Sequence, residues 1–587
     1  MLGRVWRMRL DTQGEATAEA IAQTLGTGDL LARVLAGRGQ TPQSAPRWLD
    51  PTLRDLMPDP SILTAMDAAV ERLSAAIETG EQVAVFGDYD VDGACSSALL
   101  VDYFAAAGAP PPIVHIPDRI LEGYGPNSDA IRDLAGRGAT LLVTVDCGTT
   151  SHEALAVARA LGMDVVVLDH HQAPALLPDA IVVNPNRQDD LSGQGTLCAA
   201  GVVFLALAGM TRRLRGRDWW SEARPAPDLL AALDLVALAT VADVAALTGL
   251  NRAFVVKGLA VMRGRGRVGL SALMDAARLD GPPRAWHLGF LLGPRVNAGG
   301  RIGDAALGSR LLSITDPVEA RRIAAELDRL NTERQALEKL TLEQAEALAE
   351  VQAMRTNNLS CLVVAGEDWH PGIVGLLASR LKDKFKCPSF AFAFKGTSAT
   401  GSGRSVTGVD LGKAVRRAVE AGVAEKGGGH AMAAGVTVAR DQLDAFRAFL
   451  ADALEQDVDA ARGGDALAID GLLSARAASP DLVKGLENAG PYGQGNPEPL
   501  IALPEHRVVD AGIVGAAHVR VRLQSGDGAR LDAIAFRAAQ SPLGEALLSA
   551  RGESLHIAAQ LSIGSFRGSE KVETRIVDVA RPSRGFR

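Results

Sequence analysis

Between residues 82 and 184, five short apolar runs recur without polar alternation: QVAVFG (82–87), PIVHI (112–116), TLLVTVD (140–146), DVVVLD (164–169) and AIVVN (180–184). A strand that faces water on one side alternates apolar and polar residues. An uninterrupted Val/Ile/Leu run belongs to a strand covered on both faces. Helical patterns at 94–108 and from Ser151 to about Leu161 lie between these runs. Strands alternating with helices make an α/β fold with a parallel sheet and right-handed crossovers. The same constraint says where a site would lie, because open parallel sheets build their sites outside the carboxyl ends of the strands.

Three of those ends are acidic. Asp88, Asp90 and Asp92 follow the first strand, Asp146 ends the third, and Asp169, His170 and His171 end the fourth. A lone aspartate after a strand is ordinarily a helix cap, and paired histidines are ordinarily hydrogen-bonded groups. Five carboxylates and two imidazoles in one crevice need a different account, since like charges this close repel. Divalent cations resolve the repulsion. Mixed carboxylate and imidazole ligands suit Mn²⁺ and, less well, Mg²⁺. This many ligands predicts two ions about 3.5–4 Å apart, bridged by a shared carboxylate. A calcium loop is the competing reading of GDYDVDG, but its bidentate glutamate would fall near Leu99 and is missing.

The remaining chain is too long for one core, and two to four domains are expected of 587 residues. Residues 1–50 read as a short helical lead-in and 51–314 as the first α/β domain. Asp316 opens a capping-box pattern with Pro317 and Glu319, and helix formers then run to about Met354 without glycine or proline. Some 38 residues would make a helix of roughly 57 Å, long enough to connect domains across 315–358. A second, smaller α/β domain is expected over 359–456, followed by a linker at 457–466 (DVDAARGGDA). The last region, 467–587, reads as strands at 506–514, 518–524, 530–536, 555–563 and 571–579, which suits a small barrel of the OB-fold type.

Composition excludes some classes. The five cysteines show no CxxC spacing, which argues against structural zinc or a disulfide framework and for a reducing cytoplasm. The N-terminus lacks the apolar core of a signal peptide. The most apolar long run, from Leu229, contains Asp234 and Asp243 and is expected to be a buried helix rather than a membrane span. Net charge is −8, yet Arg252–Arg301 holds nine Lys/Arg against two Asp, and 501–587 holds twelve Lys/Arg against nine Asp/Glu. Clustered basic residues can hold phosphates in an acidic protein, or form a solvated basic loop.

The stretches DYDVDG, VTVDCG and LDHH together resemble the DHH phosphoesterase family. GPRVNAGGRIGDA, DWHPGIVGLLASRL, GSGRSVTGVDL, GGGHAMAAG and YGQGNPEP extend the resemblance from about residue 50 to the end, toward its single-strand-specific 5′→3′ DNA exonucleases. The resemblance implies a DHH domain, a DHH-associated domain, and Mn²⁺ or Mg²⁺ held by Asp90, Asp92, Asp146, His170 and Asp243. Asp146 would bridge both ions. It places His171 near the scissile phosphate and Asp88 as a ligand or proton acceptor. Asp169 would orient a histidine. It suggests Arg119, Arg295, Asn297, Ser402, Arg404 and His430 for the substrate phosphates; His370 lies in a motif but equally fits a helix cap.

The implied reaction releases 5′-mononucleotides from single-stranded DNA, with backbone contacts from Arg520, Arg522, Arg567 and Lys571 in the barrel. Aromatic residues make up only 4% of the chain, so electrostatics should outweigh base stacking. Single-strand-binding protein and a helicase are the partners the family implies; no membrane association and a monomer are expected. Two other readings stay open. One is an oligonucleotide or cyclic-dinucleotide phosphodiesterase of the same family, or from the metal motifs alone a pyrophosphatase. The other is a non-catalytic DNA-binding replication scaffold.

Overall fold

A computed structural model describes residues 4–355, 358–462, 466–566 and 569–582. The chain forms two compact units. Met57–Ala246 and Phe254–Gly464 make one; Met1–Leu56, Leu247–Ala253 and Asp465–Arg587 make the other.

The larger unit begins with a fully parallel five-stranded sheet in the order Ile113–His115, Val83–Gly87, Leu141–Val145, Asp164–Leu168 and Ile181–Val183. The Val83–Gly87 and Leu141–Val145 strands are buried at every position, which explains their lack of alternation. Strand order reverses between these two strands, with Gly87 beside Val145. That switch point opens a crevice at their carboxyl ends.

Helices Val91–Ala106 and Ala199–Gly216 pack on the sheet, and Leu233–Ala242 packs on those two helices. The apolar run from Leu229 opens with a 3-10 turn, Leu229–Ala232, that is not buried, and continues as the buried helix Leu233–Ala242, in which Asp234 is ion-paired to Arg267 at 2.9 Å. Among the described residues no helix is long and apolar enough to cross a membrane.

One α-helix runs through Pro317–Met354. Asp316 caps it by accepting the Val318 N–H, and Pro317 sits in its first turn, where a missing N–H costs nothing. Glu319 does not close a capping box; it forms an ion pair with Arg322 instead.

The second sheet is mixed: Lys426–Gly429, Ala433–Ala439, Ser398–Arg404, Ser389–Lys395 and Leu362–Gly366, in that order. Phe390 and Phe392 fill its core with Phe446, both edge-to-face against it. A Cβ at Gly401 or Gly403 would lie 2.4 Å from the Phe392 or Phe390 ring. These alternate glycines admit the rings on one face and leave Ser402 and Arg404 on the other.

Two expectations are corrected. Residues 457–462 are not linker: they are the last turns of helix Leu443–Arg462, where buried Val458 joins the core of the second sheet. Residues 463–465 of that predicted linker lie outside the described residues. Residues 1–50 are not a lead-in either. Strand Val5–Met8 pairs in parallel with Ala466–Ile469, and Ile21, Leu35 and Trp48 pack with Val483 and Ile501.

In the smaller unit, strands Ile501–Val514, His518–Gln524, Arg530–Ala535, Ser569–Ala580 and Ser554–Phe566 close into a barrel through the pairing of the first with the last. Arg252, in the segment Leu247–Ala253, is buried here with its guanidinium on the carbonyls of Trp48 and Gly490 and its charge over the Trp48 ring, 4.7 Å from the centroid.

Candidate active site

The parallel sheet sets the height of three carboxylates. The N–H groups of Asp88, Asp146 and Asp169 donate to Val145, Leu168 and Val183 on the adjoining strands at 3.1–3.3 Å. The ladder thus continues one residue past each strand before the chain turns. Asp90 caps helix Val91–Ala106, accepting from the N–H groups of Asp92 and Gly93. A Cβ at Gly93 would meet the Asp88 carbonyl at 2.3 Å, so the turn closes only with glycine there. Asp146 sits at φ +61°, a left-handed conformation that is costly for a non-glycine residue and is common at functional sites.

Three overlapping groups of potential ligands result: Asp88, Asp90 and Asp146; Asp92, His170 and Asp243; and Asp146, His170 and His171. Within each group the donor atoms lie within 4.8 Å of one another. His170 Nε2 is 3.2 Å from Asp146 Oδ1, 3.8 Å from Asp92 Oδ2 and 3.9 Å from Asp243 Oδ2. Asp92 accepts from the N–H groups of Ala199 and Ala200, at 2.6 and 2.8 Å, where helix Ala199–Gly216 begins and its dipole favours an anion. Asp243 ends helix Leu233–Ala242.

The electrostatics are those of a site built around cations. Burial, followed by repulsion from neighbouring carboxylates, holds Asp88, Asp146 and Asp243 well above the usual carboxylate range and pushes Asp92 up to about 7. Burial, reinforced by His171, pushes His170 down to about 4. Its imidazole is therefore neutral, and Nε2 is buried among the carboxylates. Asp88 Oδ1, Asp146 Oδ1 and His170 Nε2 are all buried without a hydrogen-bond partner among the described residues. Orphaned acceptors facing one another fit a divalent ion and little else.

Behind this cluster lies a hydrogen-bonded support. Asp169 Oδ1 accepts from the backbone N–H of His170 and lies 2.8 Å from His171 Nδ1, while Oδ2 accepts from Thr149 N–H. Burial opposes ionisation of Asp169, but the hydrogen bonds from His171 and Thr149 outweigh it and hold the carboxyl well below its usual range. Burial likewise lowers His171, and the bond to Asp169 with the surrounding carboxylates outweighs it, raising the imidazole to about 9. His430, from the second sheet, stacks on His171 with ring centroids 5.7 Å apart.

Sequence reasoning missed Asn184 and Asn186. Their side-chain amides donate to the carbonyls of His171 and His170, at 2.8 and 2.6 Å. The signal was NPN after the fifth strand, which looks like an ordinary turn.

Beside the carboxylates lies a cluster of arginines. Arg119 stands over the Tyr89 ring at 4.9 Å. Arg404 donates to Ser402 Oγ at 3.0 Å, and Arg301 to the Gly372 carbonyl at 3.0 Å. Burial, then repulsion from Arg119, Arg334 and Arg404, pushes Arg301 down to about 9; burial, then Arg119, lowers Arg404. Gly372 and Gly375 leave room for this cluster, since a Cβ at either would lie 3.0 Å or less from Arg301 backbone or Arg404 side-chain atoms.

Arg301 was not among the predicted phosphate-binding residues, although its motif was. Asn297 Oδ1 is buried without a partner among the described residues. Arg295 differs from the others: its Nε is paired with Asp328 at 2.9 Å and its NH1 with the Leu291 carbonyl. His370 caps the next turn through Nδ1, which accepts from Gly372 N–H. The basic stretch 252–301 is not a continuous patch, because Arg252 is buried, Arg265 pairs with Asp275 and Arg267 with Asp102 and Asp234.

Comparison with known proteins gives the family. The model for the N-terminal domain of the DHH family matches residues 82–240, the DHHA1 domain matches 358–456 and the RecJ OB domain matches 469–578. A curated relative, the single-stranded-DNA-specific exonuclease RecJ of Dickeya dadantii, is 36% identical over 93% of this chain and 95% of its own. The crystal structure of RecJ from Thermus thermophilus in complex with Mn²⁺ superposes with a TM-score of 0.80, at 30% identity, covering 99% of this chain and 80% of that one. The same protein in complex with Mg²⁺ gives 0.74 at 29% identity, covering 99% and 79%. With all three domain models matched in order, and a relative aligned over nearly its whole length, the chain belongs to the RecJ family of DHH proteins.

Proposed function

We propose that the protein is a metal-dependent exonuclease that degrades single-stranded DNA from a 5′ end and releases 5′-mononucleotides. The observation that carries this reading is the juxtaposition of orphaned buried ligand atoms with an arginine cluster that, among the described residues, has no carboxylate hydrogen-bonded to it. Mn²⁺ or Mg²⁺ would be held by Asp88, Asp90 and Asp146 and by Asp92, His170 and Asp243, supplying nucleophile activation and charge neutralisation for phosphodiester hydrolysis. The unpartnered Oδ1 supports Asp88 as a ligand rather than only a proton acceptor.

The chain's own groups do the positioning. His171 is kept as an imidazolium by Asp169, and with Nδ1 engaged its Nε2–H is free to donate to a phosphate oxygen. Arg119, Arg301 and Arg404, with Ser402 and Asn297, bind the terminal phosphate; guanidinium groups suit its bidentate geometry. Arg295 has Nε on Asp328 and NH1 on the Leu291 carbonyl, and braces that helix. His430 covers His171 from the second sheet.

In the barrel, the outward face of the second and third strands presents Arg520 between Gly512 and Ile534, with Arg522 and Lys571 sharing Asp532. This face tracks a single strand, largely by charge; Arg567 lies outside the described residues. The domains are read as 51–314 and 359–462, joined by the long helix, with the barrel in 467–587. Five unpaired cysteines agree with a reducing cytoplasm. The enzyme acts as a monomer, and its substrate calls for a strand-separating helicase and a single-strand-binding protein.

The test is incubation with Mn²⁺ and a 5′-phosphorylated single strand labelled at its 3′ end. Progressive shortening from the 5′ end, absent on blunt duplex and absent in Asp146→Ala, supports the reading. Cleavage of a dinucleotide but not of the long strand replaces it with a small-substrate phosphodiesterase.

A further inference from the structure

The motif DYD holds a tyrosine between two carboxylates of the metal cluster, and that tyrosine faces the other way. Asp88 and Asp90 belong to one ligand group, while the ring of Tyr89 carries the Arg119 guanidinium at 4.9 Å. A second contact is independent of the first. A Cβ at Gly300 would lie 2.5 Å from the Tyr89 carbonyl and 3.1 Å from its Cβ. Helix Gly293–Ile302 can therefore press against Tyr89 only through glycine, and Arg301 is the next residue on that helix. Arg119 is thus seated on the Tyr89 ring and the helix that carries Arg301 on the Tyr89 backbone, and that backbone is continuous with two of the metal-binding carboxylates.

We propose that Tyr89 is a positioning residue that sets the distance between the terminal-phosphate pocket and the metal cluster, and so fixes where the first cut falls. This rests on the reading of Arg119, Arg301 and Arg404 as the pocket for a 5′ phosphate. The face of the ring supplies the cation–π attraction for Arg119, and the ring's bulk keeps that guanidinium from moving toward Asp88 and Asp90. A pocket at a set distance from the metal cluster selects one phosphodiester along the strand. Without the ring, Arg119 would follow the nearby carboxylates and the strand would no longer be registered by its end.

The experiment uses the full chain in Mn²⁺ with two identical single strands, one bearing a 5′ phosphate and one a 5′ hydroxyl. The ratio of kcat/KM between them and the length of the first product are measured for wild type, Tyr89→Phe and Tyr89→Leu. Tyr89→Phe keeps the ring and should match wild type in both. Tyr89→Leu should lose the preference for the phosphorylated end by about tenfold and release dinucleotides beside mononucleotides. Mn²⁺ binding, followed by calorimetry, should persist. Gly300→Ala provides the second route, since its Cβ would clash with the Tyr89 carbonyl and Cβ and so part the Arg301 helix from Tyr89 without removing the ring; it should lose the same preference.

Retention of wild-type preference and product length in both Tyr89→Leu and Gly300→Ala overturns the proposal. So does loss of Mn²⁺ binding in Tyr89→Leu with unchanged preference in Gly300→Ala, which would make Tyr89 a support of the metal loop alone. Wild type indifferent to the 5′ phosphate would instead remove the phosphate-pocket reading, and no cleavage of either strand would remove the exonuclease reading.

Discussion

Asp146 Oδ1 and His170 Nε2 face each other across 3.2 Å, both buried and neither hydrogen-bonded among the described residues. A neutral imidazole nitrogen and a carboxylate oxygen are both electron-pair donors, so nothing between them explains the approach. A cation does. The cost of keeping these atoms together without one is borne by the rest of the fold, and this has measurable consequences.

Replacing Asp146 by Asn removes one charge from the cluster while keeping a side chain that tolerates the left-handed backbone. The metal-free variant should melt at a higher temperature than metal-free wild type, and its cleavage rate should fall by about 10³ or more. Scanning calorimetry in chelator and a single-turnover assay check the two halves. An unchanged or lower melting temperature would show that Asp146 is not strained by its neighbours.

The metal-free protein should also lose stability as pH rises from about 5 to about 9. Asp92 is pushed up to about 7 from 3.8, and Asp88, Asp146 and Asp243 are raised as well. Above 3.8 the unfolded chain ionises while the folded one retains protons, so folding is penalised until each folded value is passed. For Asp92 the penalty is complete just above 7. His171 acts in the same direction: raised from 6.5 to about 9, its stabilisation is full below 6.5 and lost through 9. Asp169 is lowered, so its contribution is constant across this window, while His170, lowered from 6.5 to about 4, opposes the loss below 6.5 and leaves it unopposed above. Melting temperatures against pH should slope downward in chelator, and saturating Mn²⁺ should flatten the slope.

Asn184→Ala should lower stability by about 1–3 kcal/mol, because it strands the His171 carbonyl and the Thr149 hydroxyl in the interior. It should also slow cleavage, since the His171 backbone is then held only by Asp169. Urea titration with a parallel rate measurement tests this; equal loss of stability without loss of rate would confine Asn184 to the fold.

Arg301→Gln and Arg295→Gln should separate. The first should weaken apparent affinity for a 5′-phosphorylated strand by about 10–100-fold, having lost a charged donor to phosphate. The second should leave that affinity near wild type and cost about 1 kcal/mol of stability through the partly exposed pair with Asp328. Binding isotherms in chelator, with denaturation curves, distinguish them.

Much of this arrangement was legible in the chain. Strand runs without alternation can only be covered on both faces, and in a parallel sheet that places Asp88, Asp146 and Asp169 at one edge. Of these, Asp88 and Asp146 do meet there with His170, His171 and Asp243 in the ligand groups, and Asp169 supports them from behind. Local signals also sufficed for the long helix and for the barrel strands, where apolar pattern and turn residues act over a few positions.

What tertiary structure decided was partnership at long range. Arg295 and Arg301 lie six residues apart on one helix, yet Asp328 engages the first while the Gly372 carbonyl meets the second. Asn184 and Asn186 read as turn residues until the fourth strand's loop lies over them. Val5–Met8 reads as the start of a lead-in until Ala466–Ile469 pairs with it, about 460 residues later. The chain by itself determined which residue types stand at the ends of buried strands, because burial follows from local pattern. Which charges are neutralised, and which are left to bind a ligand, is an electrostatic sum over distant segments, and only the folded structure brings those segments together.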